Sequence, residues 1–363
     1  MNQLALGGAE RQAADVALAL ARRGHTCVFF TFYGKLLLAE ELEAGGVDVV
    51  PLEAGRHYWR GVPDLARRLR HDRFDVLNSH MSLAGAFARV AAVAARVPSV
   101  SVEQLPGDSE RLHVRVVTDV TLNAAAAIVC ISHEVRRRLY RGTNWYLLRR
   151  PPVHVIHNTV DVAAVRARVG DRAGVRKTVG VDADAVVVSN VGRFHPQKNQ
   201  LRLVRAFATI AEAEPRARLV LVGWGRLEDE IRQEARRLGL GDRVVLAVER
   251  RDAPAIVAAS DVFVFPSLFE GLGVALLEAM AVGTPVVASS IAPITEVVRD
   301  GREALLVDPR NEPMLASATL RILRDPALAA SLTEAARDRV EQEFSLDRSA
   351  DAYERVFRQV AAR

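Results

Sequence analysis

The sequence predicts an α/β protein made of two doubly wound, parallel-sheet (Rossmann-like) domains that face each other across a cleft. Short apolar runs alternate along the chain with segments of helical apolar spacing, which is typical of parallel sheets with crossover helices. A polar, charged stretch at residues 163–181 interrupts this alternation once. The length of 363 residues exceeds what one core usually supports, and the hydrophobic half of the residues is ample for two cores.

We therefore expect an N-terminal domain at residues 1–165, a C-terminal domain at 166–345, and a C-terminal helix over 346–363 that packs back on the first domain. The polar stretch then serves as the connection and hinge. Closure of the two domains about this hinge would exclude water from the cleft.

The first domain begins with a glycine turn, Gly7-Gly8, and a helix over residues 9–23 whose apolar residues recur at helical spacing and which Gly24 ends. A second helical pattern covers residues 82–95. The strand-like runs of this domain lie at residues 26–31, 47–51, 75–79, 97–102, 127–131 and 153–156. Those of the second domain lie at residues 185–191, 218–222, 243–247, 261–265, 285–288 and 305–307.

The start of the first sheet is incomplete by this interpretation. A sheet of this type begins with a strand that leads into the glycine turn, but only the six residues MNQLAL precede Gly7, and they are too few and too polar for a buried strand. We expect that the first strand is missing because the reading frame starts late, and that about five to eight upstream residues would restore it. Without them a central position of the sheet would be vacant or half filled, and its ladder groups would be unpaired.

Composition and charge narrow the class of protein. No apolar run approaches the roughly 20 residues that span a bilayer, and no basic region followed by an apolar stretch opens the chain, so we expect a cytoplasmic protein. Its two cysteines, Cys27 and Cys130, lie in apolar runs without metal-ligand spacing and are expected to be buried free thiols.

The net charge of +5 is mild, but residues 111–150 hold eight arginines against one aspartate and one glutamate. The apolar and aromatic residues embedded there are Trp145, Tyr146, Leu147 and Leu148. Such a stretch suits an anionic membrane surface or a pyrophosphate-bearing acceptor, and it equally suits a solvated basic face. The protein would in the first case be peripheral on the inner face of the membrane. Nucleic acid is not an expected partner, because no recognised binding motif is present.

The segment PSLFEGLGVALLEAMAVGTPVVAS, residues 266–289, carries the strongest chemical signal. It places Glu270 and Glu278 around a glycine-rich turn between a buried strand and a helix. Glu270 should lie in the crevice beyond the carboxyl end of the strand, where the helix also directs its amide dipoles at an anion. Glu278, lower on the helix, can accept hydrogen bonds from a diol such as a ribose. This pattern indicates a sugar-nucleotide pocket.

The same segment resembles the E-x7-E signature of glycosyltransferase family 4, whose members are retaining enzymes of GT-B architecture. Five further segments resemble the family's motifs in the family's order and extend the resemblance over nearly the whole chain. They are GGAERQAADVALALARRGH, VIHNTVD, VVVSNVGRFHPQKNQ with its G-R-x-x-x-x-K-N loop, SDVFVFPS and DGREALLVDP.

The resemblance implies a donor site for a nucleotide diphosphate sugar. Arg193 and Lys198 would bind the donor phosphates and neutralise the leaving diphosphate, with Arg as a planar fork and Lys as a point charge. Glu270 would contact the hexose hydroxyls and help to stabilise a positive anomeric centre, and Glu278 would bind the ribose. The implied catalytic residues are Glu270, Arg193 and Lys198. The implied donor-binding residues are Gly8, Arg193, Lys198, Glu270, Gly271, Leu272, Gly273 and Glu278.

The implied chemistry is transfer of a hexose-type sugar to a glycan or lipid-linked acceptor with retention of configuration. Because Glu278 should lie too deep to serve the anomeric carbon, we favour front-face transfer without an enzyme nucleophile. No D-x-D-like site stands in the expected place, so we expect no metal, and no cofactor besides the donor substrate.

The acceptor side departs from the family pattern. A histidine usually follows the strand that here ends at Val102, whereas this sequence has Glu103 and Gln104. Either Glu103 or Gln104 could hold the sugar's hydroxyl. If Gln104 occupies that place, the role of the histidine is absent or is taken by Glu103 or His80, because glutamine cannot serve as a base. A structural role for His80 is equally consistent with its position after a strand.

Two other classes of function remain open at this point. One is a catalytically silent sugar-nucleotide-binding or scaffold protein, suggested by the missing strand and by Gln104. The other is a nucleotide-sugar epimerase of the same architecture, which the E-x7-E spacing and the G-R-x-x-x-x-K-N loop disfavour.

Overall fold

The computed structural model describes residues 1–2, 4, 7–34, 36–55, 57–104, 112–143 and 151–362. The chain divides into two compact units, Met1–Thr159 with Leu346–Arg363, and Val160–Ser345. Both units are α/β with parallel strands, which confirms the predicted fold class. The aromatic and apolar part of the basic stretch, residues 145–148, lies outside the described residues.

The described residues of the first unit form two separate parallel sheets. Strands β1 and β2 form one, and β3, β4, β5 and β6 form the other in that order. The strands are β1 Cys27–Thr31, β2 Val47–Pro51, β3 Leu77–His80, β4 Ser99–Glu103, β5 Ala127–Cys130 and β6 Val153–Val155. The helices that precede and connect them are α1 Gly8–Arg22, α2 Ala39–Ala44, α3 Val62–His71, α4 Ser82–Ala95, α5 Leu112–Leu122 and α6 His133–Thr143.

The second unit contains one six-stranded parallel sheet of order β12-β11-β10-β7-β8-β9. Its strands are β7 Val186–Val191, β8 Ala217–Gly223, β9 Val244–Val248, β10 Val262–Phe265, β11 Val286–Ser289 and β12 Leu305–Val307. Its helices are α7 Val162–Ala167, α8 Arg172–Thr178, α9 Gln200–Ala213, α10 Glu228–Arg237, α11 Ala253–Ala258, α12 Val274–Val282, α13 Ala292–Val297, α14 Glu312–Arg324 and α15 Pro326–Glu343.

Helices cover both faces of this sheet, so its central strands are apolar on both sides. Every residue of β10 is buried, and Phe263 and Phe265 on it are fully inaccessible to solvent. Asp261 fixes the amino end of β10, because its carboxylate accepts hydrogen bonds from the Val187 amide at 2.7 Å and from Arg176 at 2.9 Å. These contacts join β10 to β7 and α8 at the amino edge of the sheet.

The polar stretch at residues 163–181 differs from the expected connection. It contains α7 and α8, which belong to the second unit, and the boundary between units falls after Thr159. Asp161 and Asp171 cap the two helices through their side chains. Arg176 on α8 is buried and donates to the carbonyl of Ala259, which anchors the helix. The charged residues of this stretch therefore stabilise packed helices. A polar, charged composition is common to such helices and to linkers, so it does not distinguish them.

The last helix, α16 Leu346–Ala361, belongs to the first unit and packs against α1. Its apolar stripe is buried, and ion pairs join its polar side to the end of α1. Arg23 contacts Asp351 at 2.6 Å, and His25 contacts Glu354 at 3.0 Å.

Among the described residues, no helix combines the length and apolar character that a membrane crossing requires. Cys27 is half-buried and Cys130 is buried, and both are free thiols. Burial raises the pKa of Cys27, and it raises that of Cys130 to about 12.

Candidate donor site in the second unit

The candidate donor residues of the second unit lie beyond the carboxyl ends of β7 and β10. These strands are neighbours at the centre of the sheet, and the chain leaves them toward opposite edges, through β8 and β9 on one side and β11 and β12 on the other. Such a switch in strand order opens a crevice where ligands of parallel sheets usually bind.

Lys198 and Glu270 form the centre of this site. Lys198 Nζ lies 2.5 Å from Glu270 Oε1, although the two residues are 72 positions apart in sequence. Their side chains are only 17% and 7% exposed, so the pair is largely removed from water. Lys198 Nζ also lies 5.1 Å from the ring centroid of Phe265, an arrangement that favours a cation over the ring face. The structure thus brings together Lys198 and Glu270, two of the three residues that the resemblance implies to be catalytic.

Hydrogen bonds hold the two loops of this pair together. Gln197 Nε2 donates to the Phe269 carbonyl at 2.8 Å, and the Leu268 amide donates to the Gln197 carbonyl at 2.8 Å. Asn199 Nδ2 donates to the carbonyls of Pro266 at 3.1 Å and of Pro309 at 2.7 Å. The residues around Lys198 therefore fix its position relative to the loop that carries Glu270.

Arg193 lies in the same loop as Lys198, and its side chain is exposed. Burial lowers the pKa of His195, and the charges of Arg226, Arg193 and Lys198 lower it further. Arg193, Lys198 and Arg226 therefore lie close enough to the His195 imidazole to disfavour its protonation.

Arg226 was not among the sequence candidates. It follows the G-W-G segment, residues 223–225, at the end of β8. That segment runs against the loop of Arg193, because the Phe194 amide donates to the Trp224 carbonyl at 2.8 Å and the Gly192 amide to the Val222 carbonyl at 2.9 Å. Gly223 and Gly225, at the end of a buried strand, were the signal in the sequence that could have predicted this close backbone approach.

Gly223 is required by this approach. Its φ is +155°, and a Cβ there would lie 2.0 Å from the Gly192 carbonyl oxygen. A side chain at Gly192 would in turn press on Lys198, at 3.2 Å from its Cδ. The glycine directly after β7 and the glycine that ends β8 thus allow Lys198 to lie close to the backbone.

The loop after β10 ends at Gly273, which caps α12 in a left-handed conformation with φ +100°. A Cβ at Gly273 would lie 3.0 Å from the Phe265 ring, the same ring that lies below Lys198. Gly271 and Leu272, like Gly273, are buried, and Glu278 is half-buried on α12. The structure places Glu278 beyond the loop in the second turn of that helix.

The remaining candidates lie in the first unit. Gly8 is exposed and is the first residue of α1, after Gly7 at the helix N-cap. Glu103 ends β4 and is half-buried, as is Gln104. Nε2 of Gln104 is buried without a hydrogen-bond partner among the described residues.

A buried arginine supports Glu103 through one hydroxyl group. Arg89 on α4 is 1% exposed, and its NH1 group donates to Ser101 Oγ at 2.6 Å. Ser101 Oγ donates to Glu103 Oε1 at 3.0 Å. Arg89 also donates to the Thr118 carbonyl at 3.1 Å. Burial lowers the pKa of Arg89, whereas the charge of Glu103 raises it. Arg89 was missed because an arginine within an alanine-rich helix gives no sequence signal of burial.

His80 ends β3 and is 7% exposed. Desolvation, together with the charge of the N-terminal ammonium, lowers its pKa to about 3. An imidazole of such low basicity is a poor proton acceptor near neutral pH, so the structure favours the structural role for His80.

The fold and the site together indicate the class of protein. The units are Rossmann-like, and in the second a charged polar site lies at a topological switch point. The profile of the Glycosyl transferases group 1 family matches residues 171–339, and that of Glycosyltransferase Family 4 matches residues 6–164. The chain therefore belongs to glycosyltransferase family 4, of GT-B architecture, and is a glycosyltransferase. This membership excludes the epimerase alternative.

Individual relatives agree with this assignment. The alpha-maltose-1-phosphate synthase of Mycolicibacterium smegmatis is 32% identical over 313 residues, which cover 79% of this chain and 79% of that protein. The UDP-Gal:alpha-D-GlcNAc-diphosphoundecaprenol alpha-1,3-galactosyltransferase of Escherichia coli is 27% identical over 274 residues, or 73% of this chain and 70% of that protein. The crystal structure of Anabaena HepE in complex with UDP and glucose shares the fold, with a TM-score of 0.85 at 23% identity over 98% of this chain and 97% of that one.

Proposed function

We propose that the protein transfers a hexose-type sugar from a nucleotide diphosphate sugar to a hydroxyl of a glycan or lipid-linked glycan, with retention of configuration and without a metal ion. The observation that carries this proposal is the buried Lys198–Glu270 pair beyond β7 and β10. A cation and a carboxylate fixed side by side suit a ligand with an anionic diphosphate next to a polyhydroxylated ring.

In this proposal the cations bind the diphosphate. Charge accumulates on the phosphate oxygens as the anomeric bond breaks, and fixed cations in a partly desolvated site stabilise that charge most effectively. Lys198 is held by its loop and by the Phe265 ring, and the exposed Arg193 can offer two parallel hydrogen bonds. Arg226, which the electrostatics place near His195, is an additional candidate for the phosphates.

Glu270 and the loop after it bind the sugar in this scheme. The carboxylate accepts hydrogen bonds from hexose hydroxyls and opposes the positive charge that develops at the anomeric carbon. The amides of Gly271, Leu272 and Gly273 precede α12 and add donors, and Glu278 on that helix binds the ribose. Gly8, at the start of α1, would approach the donor without steric hindrance from a side chain.

Transfer then follows a front-face path. The departing phosphate takes the proton of the acceptor hydroxyl as the new glycosidic bond forms on the face that the leaving group vacates. The enzyme supplies orientation and charge stabilisation rather than a nucleophile. The acceptor hydroxyl is held by Glu103, whose orientation Ser101 and Arg89 support. The names of two relatives favour a carbohydrate or lipid-linked acceptor for proteins of this kind.

We propose further that the protein works in the cytoplasm, with the basic stretch at residues 111–150 directed at an anionic membrane or acceptor. Arg136 and Arg137 on α6 are exposed, although Arg137 also contacts Glu134 at 2.7 Å. Co-sedimentation with vesicles that contain anionic lipid tests this part. Binding that is equal with neutral vesicles would contradict it.

Calorimetry with uridine and guanosine diphosphate sugars tests the donor site. Lys198→Ala should weaken binding of the preferred donor roughly 10- to 100-fold, because it removes a charge-assisted contact. Lys177→Ala is the matched control, since Lys177 is exposed on α8 of the same unit. Equal donor affinity in Lys198→Ala and Lys177→Ala, with both variants folded by thermal unfolding, would refute the assignment. Glu278→Ala should weaken donor binding in the same way.

Glu103→Ala tests the acceptor side. Donor affinity should stay unchanged while transfer to the acceptor falls, because Glu103 would act on the acceptor alone.

The stereochemistry and the metal dependence of transfer are tested separately. Product analysis by NMR should show that the product keeps the anomeric configuration of the donor, and the transfer rate should persist in EDTA. A product of inverted configuration would contradict retention, and a transfer rate that falls with the chelator would contradict transfer without a metal ion. A folded protein that binds donor and neither transfers nor hydrolyses it would favour the catalytically silent alternative.

A further inference from the structure

Trp224 is an exposed aromatic residue beside the candidate donor site. It comes directly after β8, between Gly223 and Gly225, and it is 45% exposed. An indole is large and mostly apolar, and its burial ordinarily stabilises a folded chain. Ligands of parallel sheets bind beyond the carboxyl ends of the strands, which is where Trp224 lies. Its exposure at this place therefore favours a contact with a ligand.

The backbone on both sides of Trp224 lies against the loop that follows β7. A Cβ at Gly225 would lie 2.5 Å from the Phe194 carbonyl oxygen, and a Cβ at Gly223 would meet the carbonyl oxygen of Gly192 in the same way. The Trp224 carbonyl accepts a hydrogen bond from the Phe194 amide at 2.8 Å. The indole thus extends from a backbone that is already fixed, so little further ordering is needed when a ligand binds.

The strand pairing determines what lies beside Trp224. On one side are the cations Arg193 and Arg226, whose charges act on the imidazole in the loop after β7. On the other side, Gly223 pairs with Val248, which is the last residue of β9 and is half-buried. Trp224 therefore lies between a group of cations and an apolar strand end, a combination that suits a ligand with an anionic part and an aromatic part.

The order of the strands matches the order of the groups in a nucleotide diphosphate sugar. The sheet runs β10, β7, β8, β9 in this part. Glu270 follows β10, Lys198 follows β7 and Trp224 follows β8. A donor of this kind carries its hexose at one end of the diphosphate and its nucleoside at the other. With the hexose at Glu270 and the diphosphate at Lys198, the nucleoside continues toward the ends of β8 and β9.

We propose that Trp224 stacks on the nucleobase of the donor and that Val248 provides a second apolar contact to the same base. The ligand class is a nucleoside diphosphate, and stacking accepts any planar base because each has an aromatic face. The inference rests on the proposed donor site at Lys198 and Glu270. It adds the residues that recognise the part of the donor beyond the diphosphate.

Calorimetry with UDP, GDP and inorganic pyrophosphate separates base recognition from diphosphate binding, because pyrophosphate has no base. Trp224→Ala removes the indole and keeps the backbone hydrogen bonds of its segment. It should weaken binding of the tighter nucleotide by at least about fivefold and leave pyrophosphate affinity unchanged. Trp224→Phe should keep most of the nucleotide affinity, since a phenyl ring still stacks. Trp59→Ala is the matched control, because that residue is 59% exposed in the first unit, and it should change neither affinity.

Indole fluorescence gives a second readout that does not depend on a measurable pyrophosphate affinity. The sequence has three tryptophans, so in a chain with Trp59→Phe and Trp145→Phe the emission comes from Trp224 alone. A base stacked on this indole should change its emission, whereas pyrophosphate should leave the emission as it is. Thermal unfolding of each variant shows that it is folded before binding is compared.

Equal nucleotide affinity in the parent and in Trp224→Ala would overturn the proposal. An equal loss of nucleotide and pyrophosphate affinity would also overturn it, since Trp224 would then support the loop rather than contact the base. Saturation with nucleotide without any change in the Trp224 emission would do the same.

Lys198→Ala distinguishes failure of this inference from failure of the proposed donor site. A loss of both nucleotide and pyrophosphate affinity in Lys198→Ala, together with unchanged affinities in Trp224→Ala, would contradict the base contact alone. Nucleotide affinity in Lys198→Ala equal to that of the parent would instead contradict the donor site itself, and with it the placement of the base.

Discussion

At the scale of single residues, the donor site depends on the pairing of Lys198 with Glu270. The sequence motifs named both residues, since each belongs to a loop that follows a buried strand. Their direct contact could not be predicted from the sequence, because 72 positions separate them and only the pairing of β7 with β10 brings them together. Removal of one partner from such a pair leaves the other charge buried, so both side chains are needed for the site to keep its shape.

The glycine at position 223 gives a prediction at this scale. Gly223→Ala should lower the free energy of unfolding by roughly 2–4 kcal/mol, because the new Cβ meets the Gly192 carbonyl and the residue has a left-handed φ. Donor affinity should fall as well, since Gly192 lies against Lys198. Gly239→Ala is the control, because its φ is +69° but nothing lies within 4 Å of its Cβ position. A chemical denaturation series in which both variants lose the same stability would contradict the close backbone approach.

His80 gives a prediction for pH. Its pKa is lowered from 6.5 to about 3, so the folded state favours the neutral ring, and the stability present above pH 6.5 is lost as the pH falls through this range. Between pH 6.5 and 5 the loss should be about 2 kcal/mol, at about 1.4 kcal/mol per pH unit for one proton. The Met1 ammonium faces the same ring and adds its own loss from pH 8 downward.

Urea denaturation of His80→Asn at several pH values checks this. The variant should have a shallower dependence between pH 6.5 and 5 than the parent. His71→Asn on α3 is the control, because that side chain is 85% exposed. Identical slopes in the parent and His80→Asn would show that the ring is not buried as a neutral group.

At the scale of elements, the second sheet is held in register by side chains at its amino edge and by loops at its carboxyl edge. Asp261 joins β10, β7 and α8 at one edge, and Asn199 joins the loops after β7, β10 and β12 at the other. Lys198 and Glu270 thus lie on loops that are hydrogen-bonded to each other and that follow strands fixed at their amino ends. This arrangement keeps a charged site ordered before any ligand binds.

Asp261→Ala tests the amino edge. The substitution should cost roughly 2–4 kcal/mol of unfolding free energy, because it leaves the buried Arg176 and the Val187 amide without their carboxylate. Glu312→Ala should cost less than about 1 kcal/mol, since Glu312 contacts Arg202 and Arg205 at the surface. Comparable losses in the two variants would mean that the Asp261 contacts do not hold β10, β7 and α8 in place.

The elements were also the part of the fold that the sequence predicted best. Apolar runs between glycine, proline and polar residues placed each of the twelve strands found among the described residues within two residues of its observed start, because burial on both faces demands such runs. The helices of residues 163–181 were missed, since short charged helices carry no apolar stripe. The approach of the segment at 223–225 and the burial of Arg89 were also missed, because both depend on neighbours distant in sequence.

At the scale of the whole molecule, the two units differ in the continuity of their sheets. The second unit has one six-stranded sheet, whereas the described residues of the first unit form sheets of two and four strands, with a cavity of about 800 Å³ between β1 and β3. Apolar side chains that line such a cavity lose packing partners, and unpaired ladder groups add a further cost. The candidate catalytic residues lie in the second unit, and the acceptor-side candidates lie in the first unit.

Native-state hydrogen exchange should therefore separate the units. Amides of β1 and β3 should exchange through openings of lower free energy than those of β7 and β10, because less buried apolar contact opposes their opening. Exchange measured by mass spectrometry on peptides that cover these strands gives the comparison directly. Equal protection of the four strands would argue against a weakened first sheet.

A crystal structure of the full chain soaked with a nucleoside diphosphate tests whether Lys198 and Glu270 mark the donor site. We expect the diphosphate beyond the carboxyl ends of β7 and β10, with a phosphate oxygen within hydrogen-bond distance of Lys198 Nζ and of Arg193. A nucleotide bound away from these loops, with the Lys198–Glu270 contact unchanged, would contradict it.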